Sequence, residues 1–548
     1  MNRHGGKLLA DQLRVHGVEV AFCVPGESYI ALLDGLHDSP IRLVTCRNEA
    51  GAANMAEAYA KLTGRPGVCM VTRGPGATHA SVGVHTAFQD STPLVLLVGQ
   101  VATDQEEREA FQEIDYRRMF GELAKWVAQI DRVDRIPELV ARAFATACAG
   151  RPGPVVLALP EDVLAQETTA GDALPFIAVR PSPSGEDVER VRDVLAHAER
   201  PLAILGGGGW TGAATRAMTA FVEGNALPAA AAFRRQDVLD NDSPSYVGEL
   251  GIGLNPALAA RVRDADVLLV VGPRLGEITT SRYTLLRVPT PRQALVHVHP
   301  GAEELGRVYQ PTVPVLAAPD TFGGAVADVR VEPRWREWAV AARADYEAWR
   351  QHDPMPGDLD LGDCIAHMRE RVPDAIVTNG AGNHTVWIHR FWRFHDFPSQ
   401  VAPTSGAMGY GVPAAVAAKL VAPERTVLCF SGDGDFLMLG QELATAVQYD
   451  LPVVILVVDN AMYGTIRMHQ ERNFPGRVVG TDLVNPNFAA LARAFGAHGE
   501  CVTRTADFPE AFERALASGR PAVIALRVDP EAITPRSTLS AIRAEAQG

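Results

Sequence analysis

The sequence has no C-x-x-C spacing, no continuous apolar segment at its start and no block of like charge. Its seven cysteines (23, 46, 69, 148, 364, 429 and 501) are odd in number and mostly lie in apolar runs. They read as reduced core residues of a cytoplasmic protein, not as a disulfide framework or a zinc site. Residues 1–14 carry basic side chains but pass directly into an amphipathic helical pattern with no small-residue cleavage site, so neither a signal peptide nor a membrane span is expected. The net charge of −14 is spread along the chain, which argues against a nucleic-acid or anionic-membrane surface, although a local basic pocket could hold an anionic cofactor. No strict short repeat is visible.

What is present is a long, strongly alternating chain. At 548 residues it exceeds one ordinary core, and 47% hydrophobic with 21% charged residues is the balance of a soluble globular protein. The most informative stretch is Ser431-Gly432-Asp433-Gly434-Asp435, followed 27 positions after Asp433 by Asn460 in the pair Asp459-Asn460. Apolar β-rich runs precede both, Thr426 to Phe430 and Val453 to Val458, and Gln441 to Tyr449 carries Leu443, Ala444 and Val447 at helical spacing. The unit reads as a βαβ crossover whose two parallel strands each end in hard oxygen donors, at the edge where open α/β sheets bind ligands. A carboxylate with an amide oxygen suits Mg²⁺ held together with phosphates, and the glycines allow backbone close to those phosphates. Short G-D-G strings also occur in ordinary turns; the spacing to Asn460 is what separates this one from them.

Strands and helices alternate from the start: helix Lys7 to His16, strand Val18 to Val24, helix Ser28 to Leu36, strand Arg42 to Thr45, a parallel α/β layer. Arg47 to Gly51 then opens a helix running to about Leu62, placing Glu49 near a strand's C-terminal edge and a helix N-terminus. Ala50, Gly51, Ala52 and Ala53 form a small-residue face that another element can approach closely. Strand Val68 to Thr72, Gly74-Pro75-Gly76-Ala77-Thr78 and a helix through Phe88 follow, then Asp90-Ser91-Thr92-Pro93 and strand Leu94 to Val98. Strand Val155 to Leu159 closes a first domain near residue 170, and residues 168–186 read as a linker.

Strand Leu202 to Leu205 precedes four glycines, Gly206 to Gly209, and Trp210-Thr211-Gly212. This fits G-x-G-x-x-G, but a four-glycine run fits many patterns; a tight βα turn is the preferred reading, with FAD or ADP binding as the alternative. Strands Val267 to Val271 and Leu295 to His299 continue a Rossmann-like domain to about residue 332, and a charged helical stretch, Pro333 to Asp353, leads to the last domain. There strand Ala375 to Thr378 runs into Asn379-Gly380-Ala381-Gly382-Asn383-His384, able to cradle a diphosphate, and Thr404 to Gly411 sets Met408 between glycines. The expected fold is α/β, with three Rossmann-like parallel-sheet domains spanning 1–170, 186–332 and 358–548.

The stretch from Gly432-Asp433-Gly434 to Asp459-Asn460 resembles the metal and diphosphate motif of thiamine-diphosphate enzymes. Arg47 to Ala60, Gly74 to Thr78 and Asp90 to Pro93 resemble segments of acetolactate synthases, and the likeness covers nearly the whole chain. The resemblance implies a pyrimidine-binding, a central and a diphosphate-binding domain, with thiamine diphosphate and Mg²⁺ as cofactors. It implies Mg²⁺ ligation by Asp433, Asn460 and the carbonyl of Met462. Asn383, His384, Gly406, Met408, Gly432, Asp433, Gly434, Asp435, Asn460, Met462, Tyr463 and Gly464 would bind the cofactor, Met408 as the wedge that bends it and the Gly406 carbonyl as acceptor from its exocyclic amine. Glu49 would exchange a proton with its aminopyrimidine ring. Gln112, in Ala110 to Glu113, is implied as catalytic, and Lys125 and His469 as substrate-pocket residues, His469 standing where acetolactate synthases carry a tryptophan; for Gln112 and Lys125 an ordinary solvated pair is the competing reading. Some relatives bind FAD in the central domain, but Gly272 to Glu277 lacks the acidic pair that often follows the arginine, which argues against it.

The implied activity is decarboxylation of a 2-oxo acid with ligation to a second 2-oxo acid or an aldehyde. A non-ligating decarboxylase and a 2-hydroxyacyl or acyloin lyase like benzaldehyde lyase share every cofactor motif and stay open. A non-catalytic regulatory subunit predicts loss of Glu49, Asp433 or Asn460, and all three are present. Because the family builds one site from two subunits, a homodimer or homotetramer with sites at the subunit interface is expected.

Overall fold

The structure is a computed structural model and describes residues 2–547. They form two compact units, one of residues up to 179 together with 416–421, the other of 180–415 with 422 onward. The expected α/β architecture is present as three six-stranded, wholly parallel sheets, one in the first unit and two in the second. One short antiparallel pair, Arg3–His4 with Glu167–Thr168, departs from the expected all-parallel layers; its second strand ends on the first residue of the stretch read as linker. Among the described residues no helix is long and apolar enough to cross a membrane. No cysteines are joined; five are buried, whereas Cys148 is half-buried and Cys501 exposed, so the core reading fits those five.

In the first unit the strands lie in the order Arg42–Thr45, Val20–Cys23, Gly67–Val71, Leu94–Gln100, Pro154–Pro160, Trp126–Gln129. All seven residues of Leu94–Gln100 and of Pro154–Pro160 are buried, the pattern of strands covered on both faces. Strand Trp126–Gln129 carries little signal in the sequence because it is short and only partly buried. Helix Glu49–Thr63 starts where Asn48 accepts a hydrogen bond from the Ala50 amide at 2.8 Å and stops at the left-handed Gly64. Its small-residue face is used as expected: a Cβ on Gly83 would fall 2.4 Å from the Ala53 Cβ, so helix Pro75–Asp90 packs against it almost backbone to backbone. A buried polar cluster pins the far end. Lys61 lies 3.0 Å from Glu57 and also pairs with Asp90, and Thr92 donates to Glu57 at 2.7 Å.

The central sheet runs Tyr246–Leu250, Ala229–Ala232, Pro201–Leu205, Val267–Val271, Ala294–His299, Val313–Leu316. In chain order this is 3-2-1-4-5-6, the arrangement whose crevice between strands 1 and 4 serves dinucleotides in many proteins. Here the two turns above that crevice touch: a Cβ on the left-handed Gly207 would lie 2.2 Å from the Gly272 carbonyl oxygen, and the Trp210 indole donates to the Gly206 carbonyl at 2.6 Å. The chain's own close packing thus accounts for the glycine run.

The third sheet runs Gln400–Val401, Ile376–Asn379, Val427–Gly432, Val454–Asp459, Ala522–Arg527, His498–Val502. Its order, 2-1-3-4-6-5 within its domain, is that of the first sheet. The crossover between its third and fourth strands holds two short helices, Asp433–Leu439 and Leu443–Gln448, instead of one, and the buried face of the second is Leu443, Thr445 and Ala446. Ala444 and Val447, expected on the same face as Leu443, are only half-buried and lie outside it.

Buried polar groups join the central sheet to the third. The Gln236 amide N–H donates to Gln400 Oε1 at 2.6 Å, Asp237 accepts from the backbone of Ser399 and Gln400, and Asn241 and Phe394 exchange bonds of 2.9 and 3.0 Å. Glu249 Oε2 lies 3.5 Å from His389 Nδ1 in this layer. Burial pushes the Glu249 carboxyl up to about 7 and holds the His389 imidazole far below its ordinary range, so the pair is neutral near pH 6. Between the ordinary glutamate value and about 7 the folded state keeps a proton that the unfolded state has lost, and stability from this group falls as pH rises through that window. Glu249→Gln mimics the protonated form. Its thermal midpoint should match wild type at pH 5 and exceed it at pH 8; equal losses at both pH values would show that the carboxyl is ionised in the fold.

Candidate active site

Order reversal in the third sheet falls between Ile376–Asn379 and Val427–Gly432, and the loops leaving the carboxyl ends of these strands form the site. Gly380 must be glycine because a Cβ there would sit 2.1 Å from Asp435 Oδ1. Asp435 is buried and accepts from the Gly409 N–H at 2.7 Å, the Ala381 N–H at 3.3 Å and the Ser431 hydroxyl at 2.8 Å. Burial pushes its carboxyl up to about 6 against those donors. The carboxyl group ties the loop after Asn379, the loop carrying Met408 and the strand ending at Gly432 into one piece.

Asp433 follows that strand directly. Burial pushes its carboxyl up, opposed first by the Asn485 amide, which donates to Asp433 Oδ2 at 2.8 Å, and then by the Gly434 N–H, which donates to Oδ1 at 2.8 Å. The same Asn485 Nδ2 donates to Asp459 Oδ1 at 2.8 Å, so one amide bridges the carboxylates at the ends of two neighbouring strands. Residues 481–483 are laid along 461–463 by the Tyr463 N–H to the Thr481 carbonyl and the Leu483 N–H to the Ala461 carbonyl, both 2.9 Å. Asn460 Oδ1 accepts only the Met462 N–H, at 3.3 Å. Asp433, Asn460 and Met462 line one cavity, and a carboxylate, an amide oxygen and a backbone carbonyl are the kinds of donor that Mg²⁺ takes.

These groups open on a cavity of about 260 Å³. All twelve cofactor-binding candidates of this domain line it: Asn383, His384, Gly406, Met408, Gly432, Asp433, Gly434, Asp435, Asn460, Met462, Tyr463 and Gly464. His384 Nε2 is buried without a hydrogen-bond partner, and burial, with Arg234 nearby, lowers the imidazole to about 3, so the ring is neutral. That nitrogen lies 3.8 Å from Asp435 Oδ2, beyond hydrogen-bond distance, and an unpaired buried ring nitrogen on a cavity wall fits a polar guest. Asn383 differs: its amide accepts from Thr465 at 2.9 Å and donates to the Ile533 carbonyl at 3.1 Å, so it braces the wall instead of facing the cavity unpaired.

Asn485, Trp387, Ile466 and Ile533 belong to the site although no sequence motif singles them out. Asn485 stands two residues before Asn487, the N-cap of helix Phe488–Ala494, and is indistinguishable from another turn asparagine; the other three carry no motif, and only the helical offset of Trp387 from Asn383 hints at a shared face. His469 does not line the cavity. It sits one turn beyond Ile466 on helix Gly464–Asn473, half-buried, its imidazole lowered by burial, Arg472 and Arg282.

In the first unit, Glu49 Oε2 lies 2.9 Å from His79 Nδ1, and Oε1 is 3.4 Å from where a Gly76 Cβ would stand. Gln112 meets the other side of the same turn: a Cβ on the left-handed Gly74 would lie 2.8 Å from the Gln112 Cβ. The turn is held by the Gly74 N–H to the Tyr116 hydroxyl at 2.9 Å and by Arg73, which donates to the Phe111 carbonyl at 3.1 Å and Glu161 at 2.9 Å. Lys125 serves the helix behind the sheet. Its ammonium donates to the Thr146 and Ala149 carbonyls at 2.6 and 2.5 Å and closes the end of helix Ile136–Cys148.

Comparison with known proteins gives these sites a context. Three family models match in succession: the thiamine pyrophosphate enzyme N-terminal TPP binding domain over residues 3–119, the central domain over 188–325 and the C-terminal TPP binding domain over 380–526. The acetolactate synthase isozyme 2 large subunit of Escherichia coli is 32% identical over 96% of both chains. The acetolactate synthase large subunit of Parasynechococcus marenigrum is 31% identical over 96% of this chain and 87% of its own, and that of Lactococcus lactis 30% over 90% and 87%. With all three domains in sequence and relatives aligned along nearly its whole length, this chain belongs to the thiamine pyrophosphate enzymes, in the family of the acetolactate synthase large subunits.

Proposed function

We propose that the chain removes CO₂ from a 2-oxo acid and joins the remaining acyl carbon to the carbonyl carbon of a second 2-oxo acid or an aldehyde, using thiamine diphosphate and Mg²⁺. The observation that carries this reading is the convergence of the twelve residues on one cavity at the switch point of the third sheet. Bound thiamine diphosphate supplies the carbon nucleophile and electron sink for such chemistry. Asp433, Asn460 and the Met462 carbonyl would hold the metal; backbone at Gly432 and Gly434, the start of helix Gly464–Asn473 and the neutral His384 would face the diphosphate. Met408 would set the cofactor's bend, and Gly406 would accept from its amine. Glu49 would carry a proton to and from the pyrimidine, and Gln112, on the other face of the Gly74–Gly76 turn, would act beside it.

Ligation is favoured over simple decarboxylation and lysis by the names of the full-length relatives. We take the central sheet as scaffold and not as a flavin site, since its glycine turn is engaged by Gly272 and Trp210. The reading includes a homodimer or homotetramer with Glu49 of one copy serving cofactor held by another, and a cytoplasmic setting consistent with seven unlinked cysteines.

Asp433→Ala and Asn460→Ala should each abolish Mg²⁺-dependent thiamine diphosphate binding in calorimetry while thermal midpoints of the cofactor-free proteins stay near wild type. Asn485→Ala should weaken binding by about tenfold, the order of one hydrogen bond to a charged group. Unchanged affinity in the first two variants would overturn the metal assignment.

Substrate choice should follow the cavity wall. A screen of 2-oxo acids and aldehydes with product analysis should yield acyloins or acetohydroxy acids, and free aldehyde alone would favour the decarboxylase. Ile466→Ala should shift the acceptor spectrum more than His469→Trp does, because Ile466 lines the cavity and His469 lies a turn behind. The reverse order would return His469 to the pocket.

A further inference from the structure

The Glu49 carboxyl stands in the first turn of its helix, where the free amide groups at a helix N-terminus would ordinarily take it up. It is not used that way. Asn48 occupies the Ala50 N–H, and the Glu49 side chain reaches across to the second turn of helix Pro75–Asp90, where His79 meets Oε2 at 2.9 Å.

This contact is built into the packing of the two helices. Glu49 and Ala53 are four apart on one helix, and His79 and Gly83 are four apart on the other, so the two pairs form successive rungs of one interface. The lower rung is the tightest approach available, since a Cβ on Gly83 would fall 2.4 Å from the Ala53 Cβ and 2.8 Å from the Ala53 carbonyl carbon. That closeness sets the distance at the upper rung. Gly76, one turn before His79, lies by Oε1 and leaves it uncrowded.

We propose that His79 is a positioning residue for Glu49: its imidazole holds Oε2, so that Oε1 is the oxygen presented to the cofactor's pyrimidine. The inference rests on the reading of Glu49 as proton carrier. Titratable groups within reach of the Glu49 charge include Tyr29, from the turn Glu27–Tyr29, and Cys69, from strand Gly67–Val71. Burial raises both, so they stay protonated near neutrality. His79 is more than half exposed, and replacing it removes little packing.

Two variants separate the hydrogen bond from packing. His79→Asn keeps a neutral N–H donor near the place of Nδ1, whereas His79→Ala removes the donor. In the cofactor-free full chain, the ¹³C resonance of the Glu49 carboxyl, assigned with Glu49→Gln, should move in His79→Ala and stay near wild type in His79→Asn. With thiamine diphosphate and Mg²⁺ bound, hydrogen–deuterium exchange at the thiazolium carbon should slow by about tenfold in His79→Ala, the order of one charge-assisted hydrogen bond, and recover in His79→Asn. An unmoved Glu49 resonance in His79→Ala, with exchange slowed in Glu49→Gln, would overturn the role of His79 alone. Wild-type exchange in Glu49→Gln would overturn the reading of Glu49 and this inference with it.

Discussion

A single buried carboxyl group, that of Asp435, holds the candidate site together. Its two oxygens collect the Gly409 and Ala381 amides and the Ser431 hydroxyl, so two loops and one strand end share one anchor. Burying a carboxyl costs free energy unless it is compensated, and three donors are the compensation. The same group explains why Gly380 has no side chain: the Asp435 oxygens occupy the space a Cβ would need. Loops tethered in this way keep their place whether or not a ligand is bound, which is what a site made of backbone and short polar side chains requires.

The architecture repeats one solution with different chemistry on it. The first and third sheets share a strand order, and in each the functional groups gather beyond the carboxyl ends of the parallel strands near the reversal point. On the third sheet the edge carries oxygen donors and glycines; on the first it carries a carboxyl group on a helix and a glycine turn with Gln112 behind it. The central sheet has the topology most associated with dinucleotides, yet its crevice turns are engaged with each other. Fold alone does not decide its role, and the contacts of those turns are what support reading it as scaffold.

Much of this is legible in the sequence, and the reasons are local. Parallel strands buried on both faces show as unbroken apolar runs, so Val427–Gly432 and Val454–Asp459 are visible with the oxygen-bearing residues that follow them. What is hidden depends on distant partners. Asn485 matters because residues 481–483 lie along 461–463 and bring its amide between Asp433 and Asp459, a relation that no window around residue 485 contains. Lys125 shows the same dependence: its ammonium donates to the Thr146 and Ala149 carbonyls at a helix end more than twenty residues along the chain, which no motif around residue 125 contains. The split in the crossover helix stays unread because its halves, seven and six residues long, each complete fewer than two helical turns.

Asn485 also shows how the site reconciles two demands. Carboxylates at the ends of adjacent parallel strands repel one another, and burial raises the cost of ionising Asp433. A cation between them would relieve both, but a fold that needed the cation would not hold the ligands in place beforehand. One amide donating to Asp433 and Asp459 with bonds of 2.8 Å supplies part of that relief from within the chain. It leaves Asn460 Oδ1 with one weak contact, ready for a stronger partner. The donor set is thus ordered by the protein and only partly satisfied by it, and that remaining deficit is what a divalent ion would fill.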